Sequence, residues 1–202
     1  MHLPPDLFQG EVVHILGGGP SLNTLEPADL GLDAVIAVNN AGLDFFPDAD
    51  ILFVMDRRWW TWNRSRLDQN RSEYRVARQF HGPEFDAPWP VIEIGHDKFG
   101  DLSESHDRLA GTSGGAMALN LAYLLGAATI FLHGFDMRPT GNYHEDHQIP
   151  THTHLYESEF IPSLERMAAR LAGKCTVINA TPDSALKCFP TPETAPHAGD
   201  RK

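Results

Sequence analysis

The run Glu11-Val12-Val13-His14-Ile15-Leu16, halted by Gly17-Gly18-Gly19-Pro20, constrains the fold more than any other segment. A near-continuous apolar stretch that stops on a glycine cluster describes a strand buried on both faces. Such strands belong to parallel sheets covered by helices. Ala34-Val35-Ile36-Ala37-Val38 and Ile51-Leu52-Phe53-Val54-Met55 have the same character. Thr129–His133 and Thr176–Asn179 predict two more strands, and Val76–Phe80 and Val91–Ile94 two weaker ones.

Helical patterns fall between these runs. Over Ser113–Leu125, the apolar residues Met117, Leu121, Leu124 and Leu125 suit one helix face, and Gly126 supplies a stop. Over Tyr156–Leu171, Phe160, Leu164, Met167 and Leu171 repeat at helical spacing, with Pro162 marking a start or a kink. The aromatic, basic stretch from Arg57 to Tyr74 reads as a surface helix plus loop. The segments 80–90 and 137–153 read as irregular. Alternating strands and helices predict an α/β fold: a single Rossmann-like domain, mostly parallel sheet, with helices on both faces.

A chain of 202 residues suits one domain, since splitting is rarely needed below about 250 residues. The domain is expected over residues 1–190. Residues 191–202 are expected to form a flexible tail, because the chain from Pro190 onward is proline-rich and aperiodic. Acidic residues outnumber basic ones 27 to 16, for a formal charge of −11, which excludes non-specific coating of nucleic acid. No apolar run reaches the roughly 18–20 residues of a membrane span. The start Met1-His2-Leu3-Pro4-Pro5-Asp6 lacks a signal-peptide layout. With only Cys175 and Cys188 present, no disulfide framework can be read. A soluble cytoplasmic protein is expected, its oligomeric state left open to include a homo-oligomer.

Five clusters could carry chemistry. The turn Gly17-Gly18-Gly19-Pro20-Ser21 follows the first strand, where a helix start would aim N–H groups at an anion and Ser21 would add a hydroxyl. It matches neither the dinucleotide fingerprint nor the Walker loop, and a tight turn without a ligand competes with the phosphate reading. Asn39-Asn40 ends the second strand, where amides can read a base or ribose edge or simply build a turn. Asp56-Arg57-Arg58-Trp59-Trp60 ends the third, and suits a charged substrate, a metal–phosphate complex, or a surface salt bridge with surface tryptophan packing. Gly111-Thr112-Ser113-Gly114-Gly115 opens a helix, with Thr112 or Ser113 as N-cap and more glycine than capping needs. The last cluster runs from His133 through Asp136, Arg138 and Tyr143-His144-Glu145-Asp146-His147 to His152 and His154. Metal ligation by His144, His147, His152 or His154 with Asp136 or Asp146, a general base at His152 or His154, and a surface cluster without a role all fit.

Taken together, Gly-x-Gly-Pro-Ser-Leu, an Asn after the second strand, Thr-Ser-Gly at a helix start and Gly-x-Asp resemble the small bacterial sialyltransferases (glycosyltransferase family forty-two). The pattern is similar too to the wider superfamily containing the archaeal hydroxymethyl-dihydropterin diphosphokinase. Phage-type members of that superfamily are most similar, through Asp-x-Arg-Trp-Trp and the ending Asn179–Leu186. The resemblance covers roughly residues 11–190, in blocks. It implies a transferase with a CMP- or other nucleotide-sugar donor and a small-molecule or glycan acceptor.

By that resemblance Gly17, Gly18, Gly19, Ser21, Asn39, Thr112, Ser113, Gly114 and Asp136 surround the nucleotide. Tyr143 stands near one of two tyrosines that assist the leaving phosphate, and Arg138 stands where the other would be. His154 is the implied general base, with His152 second, and Asn179–Leu186 resembles a closing segment beneath the nucleotide. The diphosphokinase alternative implies magnesium, with Asp56 and Asp136 as ligands. A non-catalytic nucleotide-binding protein is the third reading.

Overall fold

The computed structural model describes residues 2–79, 87–139, 141 and 152–195. Eight strands form one sheet: β1 (Val12–Leu16), β2 (Ala34–Val38), β3 (Ile51–Val54), β4 (Tyr74–Arg78), β5 (Ile92–Asp97), β6 (Arg108–Ala110), β7 (Thr129–His133) and β8 (Thr176–Asn179). Every pairing is parallel, in the order β6-β5-β4-β3-β2-β1-β7-β8. The α-helices among the described residues are α1 (Arg57–Trp62), α2 (Gly114–Leu124) and α3 (Ile161–Leu171). The architecture is the expected α/β, Rossmann-like one.

Successive strand residues face opposite sides, so each apolar run feeds two cores. Val13, Ile15, Ile36, Val38, Phe53, Ile130 and Leu132 pack with α2 and α3 in the larger one. On the other face Leu16, Val35 and Ala37 meet Leu22 and Leu30, whereas Leu52, Val54 and Ala77 meet Trp59, Trp60 and Leu67. Short elements make up this second layer: α1, 3-10 turns at Pro20–Thr24, Pro27–Leu30 and Arg64–Gln69, and a π turn at Ala41–Phe45. The tryptophans expected at the surface are therefore core residues, 5% and 3% exposed at Trp59 and Trp60.

Helix α2 is buried nearly all round, beyond the single apolar face that the spacing predicted. Its one polar core residue, Asn120, is fully buried and satisfied. Its Oδ1 accepts from Ser103 N at 2.9 Å and Ala110 N at 2.8 Å, and its Nδ2 donates to Ser103 O at 3.0 Å. Those bonds fix the short strand β6, whose Arg108-Leu109-Ala110 carries too little periodicity to be read from sequence. Pro162 lies in the first turn of α3, directly after a π turn at Tyr156–Phe160. Beyond β8, Pro190 O accepts from Asn179 N at 2.8 Å, and Thr191–Ala195 form a turn. No helix among the described residues is long and apolar enough to cross a membrane.

Candidate functional site

The chain builds the sheet outward from β1 to β6, then returns through α2 to lay β7 against the free side of β1. That reversal splays the connections apart beyond the carboxyl ends of β1 and β7, and crevices at such switch points hold ligands in open α/β sheets. A cavity of about 430 Å³ opens there. The ends of β1, β2, β3 and β7, the first residues of α1 and α2, and the segment 152–160 all contribute to its wall.

The glycine turn forms one side, in a way the sequence did not predict. Gly17 N donates to His133 O and Gly19 N to Gly134 O, both at 2.8 Å. Ser21 donates to the Asp136 carboxylate twice, from its backbone N at 3.2 Å and its hydroxyl at 2.7 Å. The turn is thus zipped to the segment after β7. Its expected free N–H groups at Gly17, Gly19 and Ser21 are spent on protein, and a 3-10 turn follows rather than a long helix. A Cβ at Gly17 would lie 2.7 Å from Gly134 O, and one at Gly19 would run into Asp136 Oδ2. These glycines are required by the zipper. Gly17, Gly18, Gly19 and Asp136 line the cavity, but Ser21 does not.

Helix α2 turns its amino end to the cavity. Ser113 is its N-cap, the Oγ accepting from Ala116 N at 3.2 Å. The first-turn N–H groups of Gly114 and Gly115 have no carbonyl partner within the helix, and both residues line the cavity. The extra glycines have packing reasons as well: a Cβ at Gly115 would stand 2.7 Å from the Phe135 ring, and one at Gly114 3.1 Å from Val38 Cγ1. Thr112 is not a wall residue. Its hydroxyl donates to Glu159 O at 3.2 Å, tying the helix start to the π turn.

From β2, Asn39 enters the wall with a left-handed backbone, φ 55°. Its buried Oδ1 has no hydrogen-bond partner among the described residues. The neighbouring Asn40 is structural, its Oδ1 accepting from Trp59 Nε1 at 2.6 Å. Beyond the end of β3 come Met55 and Asp56, and from α1 Arg58 and Trp62. Asp56 caps α1 by accepting from Arg58 N at 2.9 Å, and accepts again from Arg58 Nε at 3.1 Å and Nη2 at 2.5 Å. Burial pushes the Asp56 carboxyl up, but the bonds and charge of Arg58, aided by Arg78, outweigh it and hold its pKa below the ordinary value.

After β7, Arg138 lines the cavity and is steadied by Nη2 donating to Asp183 O at 2.8 Å. The Asn179–Leu186 segment buttresses this loop: Ala185 N donates to Asp136 O at 2.9 Å and Ser184 Oγ to Phe135 O at 2.6 Å. The wall also takes in His152, Leu155, Tyr156 and Phe160. His154 is absent from the lining. Its ring stacks on that of His152 at 5.7 Å, and its carbonyl accepts from Ser158 Oγ. Tyr143, like His144, Asp146 and His147, lies outside the described residues.

The cavity thus gathers Gly17, Gly18, Gly19, Asn39, Asp56, Ser113, Gly114, Asp136, Arg138 and His152, whereas Ser21, Thr112 and His154 are not in its lining. Sequence reasoning missed Trp62, Tyr156 and Phe160. The four-residue spacing of Arg58 and Trp62 was the available signal for one of them. The donor set fits magnesium poorly. Arg58 occupies both oxygens of Asp56 and Ser21 both oxygens of Asp136, and no three acidic, histidine or cysteine side chains converge among the described residues. No step is therefore routed through a metal.

No family model matches the chain, and neither does any curated protein. Solved structures do. The sialyltransferase CstII from Campylobacter jejuni, in complex with the substrate analogue cytidine-5'-monophosphate, superposes with a TM-score of 0.56 at 16% identity, over 93% of this chain and 86% of that one. The fold is similar to that of CstII. A second structure of that sialyltransferase, with a trisaccharide acceptor and CMP, gives 0.58 at 15% identity, over 95% and 89%. The MAf glycosyltransferase from Magnetospirillum magneticum AMB-1 gives 0.63 at 12% identity over 94% of this chain. The chain spans 35% of the MAf chain's length. At such identities the likeness is one of fold.

Proposed function

We propose that the cavity binds a nucleotide-activated donor and that the protein is a transferase of the glycosyltransferase type. The observation that carries this is the amino end of α2, with Gly114 and Gly115, opening into a ligand-sized cavity at the switch point of the sheet. Helix amino ends attract phosphate through unpaired N–H groups and the helix dipole. The shared fold supports the same reading, since one of the matched structures holds CMP and another holds CMP with an acceptor.

In this reading the donor phosphate rests against Gly114 and Gly115, with Arg138 adding positive charge from the β7 side. An acceptor hydroxyl, from a glycan or a small molecule, attacks the anomeric carbon. The bond from that carbon to the phosphate oxygen breaks, and its electron pair leaves with the nucleotide. Arg138 and the Tyr156 phenol stabilise the departing phosphate. His152, which lines the cavity, takes the acceptor proton in place of His154.

The test is a thermal-shift screen with CMP, UDP, GDP, ATP and their sugar conjugates. A ligand at 100 times its Kd stabilises the native state by about 2.7 kcal/mol, an easily measured shift. His152→Ala is expected to keep that shift and lose about 10²–10⁴-fold in turnover. A protein whose melting no nucleotide raises does not have this function.

A further inference from the structure

We infer that Arg58 and Trp62 form the platform on which the base of the bound nucleotide stacks, an assignment that rests on the nucleotide reading above. The two residues are four apart on α1, hence on one face of it, and both line the cavity. The helix is fixed from its other side. Trp59 is bonded to Asn40, and Trp60 meets Trp59 and Trp89 edge-on at 5.3 and 5.6 Å. With both of these buried, α1 cannot roll, and its 58/62 face stays turned to the cavity.

The guanidinium of Arg58 is itself held in place. Its edge is bonded to Asp56 through Nε and Nη2, and its central carbon stands 5.5 Å from the Trp62 ring centroid. A planar cation fixed on an indole is a rigid stacking surface, and both groups stack well on nucleobases. The charge balance points the same way. Asp56 already neutralises Arg58, so the pair is ill-suited to clamp a phosphate but well suited to a neutral aromatic ring.

Position along the chain sets the order of the subsites. Met55 Cβ lies 3.8 Å from where a Gly114 Cβ would be, so Met55 marks the phosphate end. Arg58 and Trp62 follow, progressively farther along α1, as base follows phosphate in a nucleotide. Stacking is tolerant of base identity, so the platform supplies affinity and leaves base selection to other groups.

The experiment titrates CMP, UMP, AMP, GMP and base-free ribose phosphate into wild type, Trp62→Ala, Trp62→Phe and Arg58→Lys. Intrinsic fluorescence and calorimetry are read together. Trp62→Ala is expected to weaken mononucleotides about 5- to 150-fold, the equivalent of the ~1–3 kcal/mol of one base–aromatic stack, and to leave ribose phosphate within about twofold. Arg58→Lys, which keeps the charge and loses the plane, should weaken mononucleotides selectively too, and guards against misfolding of the alanine variant. Trp62→Phe should keep most of the affinity and lose the fluorescence quench. Mononucleotide affinities unchanged in Trp62→Ala and Arg58→Lys, or ribose phosphate weakened as much as CMP, would overturn the platform while the nucleotide reading stands. If the wild type binds no nucleotide, both fall together.

Discussion

Ser21 and Asp136 stand 115 residues apart in sequence and meet through two hydrogen bonds, one from the Ser21 backbone and one from its hydroxyl, on the two oxygens of a single carboxylate. With the Gly17–His133 and Gly19–Gly134 bonds they close the seam between the ends of β1 and β7, and that seam is one side of the cavity. Asp136→Ala removes both acceptors. It is expected to cost about 1–3 kcal/mol of stability, read as the urea midpoint, and to weaken nucleotide binding through the displaced wall. Ser21→Ala, which keeps the backbone donor, should cost less. Equal costs for the two would mean that the backbone bond contributes nothing.

Gly19 is predicted to resist even the smallest enlargement. A Cβ there meets the Asp136 carboxylate and the Gly134 carbonyl, neither of which can yield without opening the seam. Gly19→Ala is expected to destabilise by about 1–3 kcal/mol and to depress nucleotide affinity further. Gly141, with nothing near its Cβ position, serves as the control. Its φ of 98° makes an alanine there strained in backbone only.

Asn120 is the most demanding polar residue of the core. Asn120→Leu keeps the branched outline of the side chain yet leaves Ser103 N, Ser103 O and Ala110 N without their side-chain partner. At about 1–3 kcal/mol for each unsatisfied buried group, the variant should lose at least about 3 kcal/mol in equilibrium unfolding. A loss below 1 kcal/mol would show that the β6 region rearranges freely.

His133 gives the molecule an acid sensitivity. Burial, then the charge of the neighbouring His14, pushes its pKa down from 6.5 to about 4. His14 Nδ1 is 2.9 Å from His133 Nε2, and its Nε2 is 3.2 Å from Asp33, so these are the titratable groups facing it. A ring that stays neutral when folded but protonates when unfolded stabilises fully above pH 6.5. That stability drains away as pH falls toward about 4. Ring resonances followed by NMR should show His133 neutral at pH 5. A midpoint near 6.5 would contradict the buried environment.

Neither cysteine should behave as a reactive thiol. Burial pushes Cys175 up to about 11 and Cys188 up to about 12, so thiolate is scarce at pH 8. Iodoacetamide is expected to label both rapidly in denaturant and slowly in the folded protein. Rapid labelling of the native state would place at least one of them in a different setting.

The strands were legible because burial on both faces writes itself as unbroken apolar runs. β2, β7 and β8 were read to the residue, and β1 and β3 to within one. α2 was equally clear, from Ser113 at its start to Gly126 beyond its end. β6 was not, because three residues held in place by Asn120 carry no period of their own. In the site, the sequence named the segments that converge, since glycine, asparagine and aspartate after apolar strands mark the carboxyl edge of a sheet.

What the sequence determined by itself is local. Hydrophobic patterning selects strand or helix, and capping and turn residues set where each ends. Which donors remain unpaired was decided only when distant segments met. Two strand-to-helix corners of similar glycine content look alike as text, yet the first spends its N–H groups on His133, Gly134 and Asp136, whereas at the second Gly114 and Gly115 open a helix whose first turn lines the cavity. The same holds for His152 and His154, two residues apart and alike in composition, of which His152 lines the cavity and His154 does not. Hydrogen-bond satisfaction depends on neighbours in space, and here those neighbours lie more than a hundred residues away along the chain.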